Sequence, residues 1–421
     1  MPNNSVVEIN PSSDRSVEFL NQVRFLFIDR DAVDFISSER ICSMEDVRGT
    51  PPDYFLMNGN IQHENDIQKL FGVLHTLCSS KSRIIVTYYS NVWKPLIYLA
   101  TLFGLRAKTL EQNWISHEDI SNFLLLTDFE LVLSNSRMLC PIYIPFVSSF
   151  INRYCANIPF FRLFCMINII MARPIGLSRK HLLSVSVVVP AKNEADNIEN
   201  LVKRLPQMGP NDELIFVEGD SNDNTWDKIV EVQRKYMASR QIKIMKQLGK
   251  GKGDAVRMGL EIASKDILMI LDADLSVAPE SLPLFYTAIV SDKGEFLNGS
   301  RLVYPMDKKA MRFLNMTANK FFALAFSYVL GQKFKDTLCG TKVISRDNYS
   351  KIAENRFFFG EFDPFGDFDL IFGAFRLGLK VVEIPIVYKE RSYGTTNIRR
   401  WKHGYILLKM LLYSAKKIKF V

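Results

Sequence analysis

The chain has 421 residues, room for two or three domains with cores of their own, and its 48% hydrophobic content is that of a globular protein. A formal charge of +8 favours anionic partners: nucleotide sugars, lipid phosphates, an anionic membrane surface or nucleic acid. The six cysteines lack Cys-x-x-Cys spacing, which argues against a zinc site or a disulfide frame and for reduced thiols in a cytoplasmic setting.

Met1 to Asn21 is polar and lacks the apolar core of a signal peptide, and no uninterrupted run of ~18 apolar residues predicts a spanning helix. Strands are expected at Val23 to Ile28, Asp53 to Met57 and Arg83 to Tyr89. A helix is expected from Glu64 to Leu77, with Ile67, Leu70, Phe71, Leu74 and Leu77 on one face. Alternating strand and helix imply a parallel sheet. This order, over residues 20 to 135, resembles the second half of a class I S-adenosylmethionine-dependent methyltransferase. The glycine-rich cofactor loop of that family is absent from Met1 to Arg48, so the resemblance implies a truncated, Rossmann-like α/β remnant over 1–140 without methyl transfer. His63 and Glu64 read as ordinary loop residues.

From Pro141 to Pro174 the chain is apolar and aromatic but interrupted by Arg153 and Arg162. Residues 141–180 are therefore expected as a linker, either an interfacial helix or one buried between domains.

A second α/β domain, 181–403, opens with the β-branched run Val185 to Val189, ending in Pro190-Ala191-Lys192-Asn193-Glu194. The strand Glu213 to Val217 runs into the acidic turn Glu218-Gly219-Asp220-Ser221-Asn222-Asp223-Asn224-Thr225, where Asp223 or Thr225 can cap the following helix. Next, Ile242 to Lys246 leads to Gly249-Lys250-Gly251-Lys252-Gly253, glycines for close backbone approach and lysines for phosphates. The buried strand Ile267 to Leu271 then ends in Asp272-Ala273-Asp274. Two carboxylates at a strand's carboxyl end repel unless a divalent cation resolves the repulsion while gripping a diphosphate.

These four stretches, in this order and spacing, resemble family 2 glycosyltransferases with the GT-A fold, a mostly parallel sheet flanked by helices. The resemblance implies a metal-dependent, inverting transfer from a UDP- or GDP-linked sugar, with Mg²⁺ or Mn²⁺ held by Asp272 and Asp274. Donor contacts are expected at Pro190, Lys192, Asn193, Glu194, Glu218, Asp220, Ser221, Lys250, Lys252, Gly253, Asp272 and Arg301. Glu218-Gly219-Asp220 departs from the family's commoner Asp-Asp-Gly, and Ser276 stands where lipid-dependent relatives often have a Gln metal ligand.

Downstream, Thr317 to Leu330 is an aromatic helix, either core or close to a membrane and acceptor. Asp336-Thr337-Leu338-Cys339-Gly340 matches the family's acceptor loop, and Asp336, Asp367 and Asp369 form the expected catalytic set. Either Asp367 or Asp369 is a base toward an acceptor hydroxyl; a phosphate acceptor, already anionic, needs none. The segment from Arg391 to Lys402 resembles the tail of the dolichol-phosphate mannose synthase group, which implies contact of Arg391, Thr396, Asn397 and Arg399 with donor and acceptor phosphates. His403 has no evident partner. Residues 404–421 read as a basic helix, lying on a membrane or buried with a solvated tail.

The resemblance implies a polyprenyl phosphate acceptor, a peripheral position at the cytoplasmic face of a membrane, and no nucleic-acid partner. The alternatives are a glycan hydroxyl as acceptor, or a catalytically idle scaffold.

Overall fold

The computed structural model describes residues 4–11, 23–28, 40–105, 113–177, 182–304, 313–356, 366, 368–388 and 400–420. The chain divides into two compact units, Met1–Ser178 with Lys419–Val421, and Arg179–Ile418.

The first unit is built on a six-stranded sheet of β1 (Val6–Ile9), β2 (Val23–Leu26), β3 (Tyr54–Asn58), β4 (Arg83–Tyr89), β5 (Phe129–Arg137) and β6 (Ile167–Pro174). The spatial order is β2-β1-β3-β4-β6-β5. The first four run parallel, while β6 lies antiparallel to both β4 and β5. Helix α1 (Ile67–Leu77) buries all five residues of its expected apolar stripe, and Asp66 caps it by accepting from the Lys69 amide at 2.8 Å.

Two expectations are corrected here. The sheet is fuller than the sequence suggested, and residues 141–180 are no linker: Ile167–Pro174 is a strand in the interior of this sheet. Its run Ile-Asn-Ile-Ile-Met-Ala-Arg-Pro is too short for periodicity to separate strand from helix. The helices between Pro141 and Ile167 are short: Val147–Arg153, Pro159–Arg162 and the 3-10 turn Cys155–Asn157 between them. The first unit therefore closes at Ser178 and not at 140.

The second unit holds a seven-stranded sheet of β7 (Val185–Ala191), β8 (Glu213–Glu218), β9 (Gln241–Lys246), β10 (Ile267–Ile270), β11 (Phe296–Ser300), β12 (Lys342–Ser345) and β13 (Val381–Pro385). The order is β13-β11-β12-β10-β7-β8-β9, parallel throughout except for β12, which runs against both its neighbours. The mostly parallel sheet flanked by helices is thus as expected, and the reversed β12 is the element the sequence did not announce.

Helices α2 (Ala195–Arg204), α3 (Thr225–Tyr236) and α4 (Lys252–Ile262) follow the first three strands of this sheet. Gly259 on α4 is what lets that helix lie against the sheet, since a Cβ there would stand 2.3 Å from Val188 Cγ1 and 3.1 Å from Val217 Cγ2. Gly259→Ala is expected to cost about 1–3 kcal/mol by overpacking, read as a lower urea midpoint.

Helix α5 (Phe313–Leu330) is core on one side, with Phe322, Phe326 and Leu330 buried, and leaves Phe321 and Leu324 exposed. Helix α6 (Phe368–Arg376) packs its aromatic face on α5, with Phe326 and Phe368 centroids 4.9 Å apart. The C-terminal helix α7 (Arg400–Ser414) starts ahead of the expected residue 404 and ends in a π-helical turn, Ala415–Lys419. It buries Leu407 and Met410 in the same core and exposes Tyr405, Leu408 and Leu412.

Candidate active site

Parallel strands β7, β8 and β10 end at one edge of the second sheet, the place where such sheets hold ligands. Two of the loops there are tied to each other. After β7, the Asn193 amide donates to Ser221 Oγ at 3.0 Å, and Asn193 Oδ1 accepts from the Asn222 amide at 2.8 Å. The Ser221 amide donates to Glu218 Oε1 at 2.6 Å, and the Glu194 amide to Thr225 Oγ1 at 2.9 Å. Asn193 and Asp220 both take left-handed backbone, φ 57°, which their short side chains tolerate. Glu194 and Glu218 are buried, Pro190, Asn193 and Ser221 half-buried, and Lys192, Asp220 and Lys250 exposed.

Beyond β10, Asp272 pairs with Lys252, the first residue of α4, with Nζ 2.7 Å from Oδ1. Buried Asp274 accepts from both the amide (3.0 Å) and hydroxyl (2.6 Å) of Ser276. Ser276 thus orients the second carboxylate, a role legible only once the turn is folded. Gly340 lies directly against the first pair: a Cβ there would be 2.3 Å from Asp272 Oδ2 and 2.6 Å from Lys252 Nζ. Gly253 is closed over by Gly366, whose Cβ would fall 2.8 Å from the Gly253 Cα.

A second ion pair sits four residues upstream of Gly340. Asp336 is fully buried and grips Arg301 in two-pronged fashion, Oδ2 to Nε at 2.7 Å and Oδ1 to Nη2 at 2.9 Å. It also accepts from the amides of Arg301 and Leu338 and from Asn319 Nδ2. Burial is the largest influence and opposes ionisation, but Arg301's charge and hydrogen bonds, with those of Asn319 and the backbone, outweigh it and hold the carboxyl at about 2. A carboxylate so engaged is a poor base near neutral pH, so Asp336 is corrected from the catalytic set to the anchor of Arg301. The guanidinium lies over the Tyr388 ring, 5.1 Å from its centroid, and Tyr388 bridges to Val277 just beyond Asp274.

Because the folded carboxyl titrates below the ordinary ~4, the pair's stabilisation is complete above pH ~4 and lost as pH falls toward about 2. Asp336→Asn is expected to flatten the pH dependence of unfolding in that window.

Asp369 is buried too, and receives Arg257 Nη1 at 2.8 Å, with Arg356 Nε 3.5 Å away. It ties α6 to α4. Asp367, Arg391, Thr396, Asn397 and Arg399 lie outside the described residues.

The sequence reading missed Arg257, Asn319 and Glu383. Glu383 accepts from Asn298 Nδ2 and the amides of Lys335 and Asp336, and burial pushes its carboxyl up despite those bonds. Its signal was a lone carboxylate inside the apolar run Val-Val-Glu-Ile-Pro, and that of Asn319 an amide inside an aromatic helix.

Among the described residues no cluster of three His, Cys, Asp or Glu side chains could hold a cation unaided. Asp272 and Asp274 nevertheless fit one that is shared with a ligand, since divalent magnesium is commonly bound by one or two carboxylates plus substrate phosphates. The absent Cβ of Gly340 lets its backbone pass beside Asp272 Oδ2 without a side chain of its own there, while Lys252 Nζ stands on the Oδ1 side.

Residues 186–353 match the family Glycosyl transferase family 2. A dolichol-phosphate mannosyltransferase of Pyrococcus furiosus is 30% identical over 224 residues, covering 52% of this chain and 60% of that protein. The chain thus spans less than two thirds of that relative's length. A UDP-N-acetylglucosamine–dolichyl-phosphate N-acetylglucosaminyltransferase of Methanococcus voltae is 26% identical, covering 53% of this chain and 94% of that protein. Among solved structures, glucosyl-3-phosphoglycerate synthase of Mycobacterium tuberculosis, in complex with Mn²⁺, UDP and glucosyl-3-phosphoglycerate, aligns with 20% identity and a TM-score of 0.41. That alignment covers 56% of this chain and 80% of that one.

Proposed function

We propose that this chain, which carries a Glycosyl transferase family 2 domain over residues 186–353, moves one sugar from a nucleoside-diphosphate sugar to a polyprenyl phosphate at a membrane surface. The observation that carries the reading is the Asp272–Lys252–Gly340 cluster at the carboxyl end of β10, two charged groups paired at 2.7 Å against a glycine whose position leaves no room for a Cβ.

In this reading the loops after β7 and β8 grip the nucleoside, through Pro190, Asn193, Glu194, Glu218 and Ser221. Lys252 and the α4 N-terminus face the diphosphate, where backbone amides and a cationic side chain favour negative charge. A divalent cation, Mg²⁺ or Mn²⁺, held by Asp272 and Asp274 would neutralise charge developing on the departing diphosphate. Gly340 lets its loop pack directly on the Asp272 carboxylate, and Ser276 fixes Asp274. Arg301, anchored by Asp336, presents fixed positive charge near the β11 end.

A phosphate acceptor is anionic near neutral pH, so displacement at the anomeric carbon, with inversion, needs no strong base. That agrees with Asp336 and Asp369 each being engaged by arginine. Both dolichyl-phosphate enzymes named above support a lipid phosphate over a glycan hydroxyl. On α7 the exposed Tyr405, Leu408, Lys409 and Leu412, with exposed Lys416 and Lys417 on the turn that follows, suit a lipid surface, and no helix among the described residues is long and apolar enough to cross one.

The test is thermal stabilisation of the purified protein by UDP- and GDP-sugars, each with and without Mn²⁺. The expected outcome is a rise of several degrees with one nucleotide, requiring the metal and absent in Asp274→Ala. No shift with any donor, while the acceptor lipid alone stabilises the protein, would favour an idle binding protein.

A further inference from the structure

No residue of the first unit enters the transfer chemistry proposed above, yet among the described residues this unit exposes many large apolar side chains. In the segment 91–105, Tyr98 is 68% and Phe103 73% exposed; in 142–164, Tyr143 is 81%, Phe146 91% and Phe160 64% exposed. The two segments are adjoining: the Ser90 amide donates to Met166 O at 2.8 Å, and Trp93 Nε1 to Phe164 O at 2.7 Å. Single exposed apolar residues are ordinary, but a contiguous aromatic surface of this kind marks a binding face.

Charge indicates what covers it. Not one Asp or Glu occurs from residue 67 to 110 or from 131 to 193, while both stretches contain lysine and arginine. Arg153 Nε donates to Phe420 O at 2.9 Å and Arg162 Nη2 to Ser134 O at 2.5 Å, so these guanidiniums are fixed on backbone carbonyls beside the aromatics. Burial first, and then the charges of the neighbouring Arg162 and Arg137, push the Lys419 ammonium down to about 8. Aromatic side chains interleaved with cations, on stretches that themselves carry no carboxylate, suit the headgroup layer of an anionic bilayer, where rings reach the acyl boundary and cations meet phosphate.

We propose that the N-terminal unit is a membrane-docking module, which seats the aromatic face formed by segments 91–105 and 142–164 in the surface of a bilayer containing anionic lipid. Docking does not rest on the transfer reaction proposed for the second unit, and it is measured without nucleotide.

The experiment is co-sedimentation of the full-length protein with vesicles of phosphatidylcholine alone or with about a third phosphatidylglycerol. Wild type is expected to partition at least tenfold more strongly to the anionic vesicles, and less so in high salt. Phe103→Ser/Phe146→Ser/Phe160→Ser is expected to lower that partition at least tenfold with an unchanged melting temperature, all three side chains being exposed. Tyr405→Ser/Leu412→Ser, on α7, is expected to lower it less than threefold.

As a check that leaves the fold intact, Phe160→Trp should acquire fluorescence quenched by brominated lipid. Wild-type binding by the triple variant, or its loss only in the α7 variant, overturns the proposal. So does failure to bind vesicles together with a dimer that the triple variant converts to monomer, which would make the face an interface between two copies.

Discussion

Asp272→Asn is expected to lower the rate of sugar transfer by about 10²–10³-fold while leaving the protein folded. The substitution keeps the shape of the side chain and removes its charge, so the carboxylate that meets Lys252 at 2.7 Å becomes an amide. Both partners are about one third exposed, and exposed ion pairs contribute only ~0–1 kcal/mol, so the melting temperature should move little. Initial rates with saturating donor, beside a melting curve of the same preparation, separate the two effects. Transfer within fivefold of wild type would remove Asp272 from the proposed chemistry and shift the reading toward a binding protein.

Asp336→Ala should act in the opposite register, on stability more than on donor contact. It leaves the Arg301 guanidinium, 12% exposed, without its two-pronged partner, and breaking a buried pair from one side costs about 3–5 kcal/mol. Asn319 Nδ2 and the Leu338 amide lose their acceptor as well. Urea unfolding of the second unit reads the loss directly. Arg301→Met/Asp336→Leu should recover most of the stability, because replacing both charges removes the unpaired one; it should not recover transfer if Arg301's charge is needed. A single variant with wild-type stability would show that the pair is not the anchor described here.

What could be read before folding was the local chemistry. Asp272-Ala273-Asp274 announced itself because an apolar strand ends abruptly in two carboxylates, and the stripe from Ile67 to Leu77 because its period is that of a helix. Long-range partners were not legible. Nothing in Asp336 says that it will meet Arg301, and nothing in Asp369 that Arg257 waits on another helix. As acidic residues in loops, both read as catalytic; only burial and saturation separate an anchor from a base. Likewise Ile167–Pro174 read as part of an apolar linker because its pairing with β4 and β5 lies in residues far from it in sequence. Ser276 was read as a missing metal ligand, whereas its hydroxyl serves the neighbouring aspartate.

The reversed strand β12 also sets an order of events. It stands between β10 and β11, with Ile267 opposite Ser345 and Phe296 opposite Ile344, so the two halves of the sheet meet only when it has inserted. The pairings that need it close loops of many tens of residues, which are slow to form because the chain entropy is lost before the contact is gained. As synthesis proceeds from the N-terminus, β7 to β10 can associate from neighbouring segments, and the loops carrying Asn193 and Glu218 with them. Gly340 reaches Asp272 only on the reversed strand's approach. The proposed donor site is therefore finished late, and a newly made chain with most of its sheet in place is expected not yet to hold a nucleotide sugar.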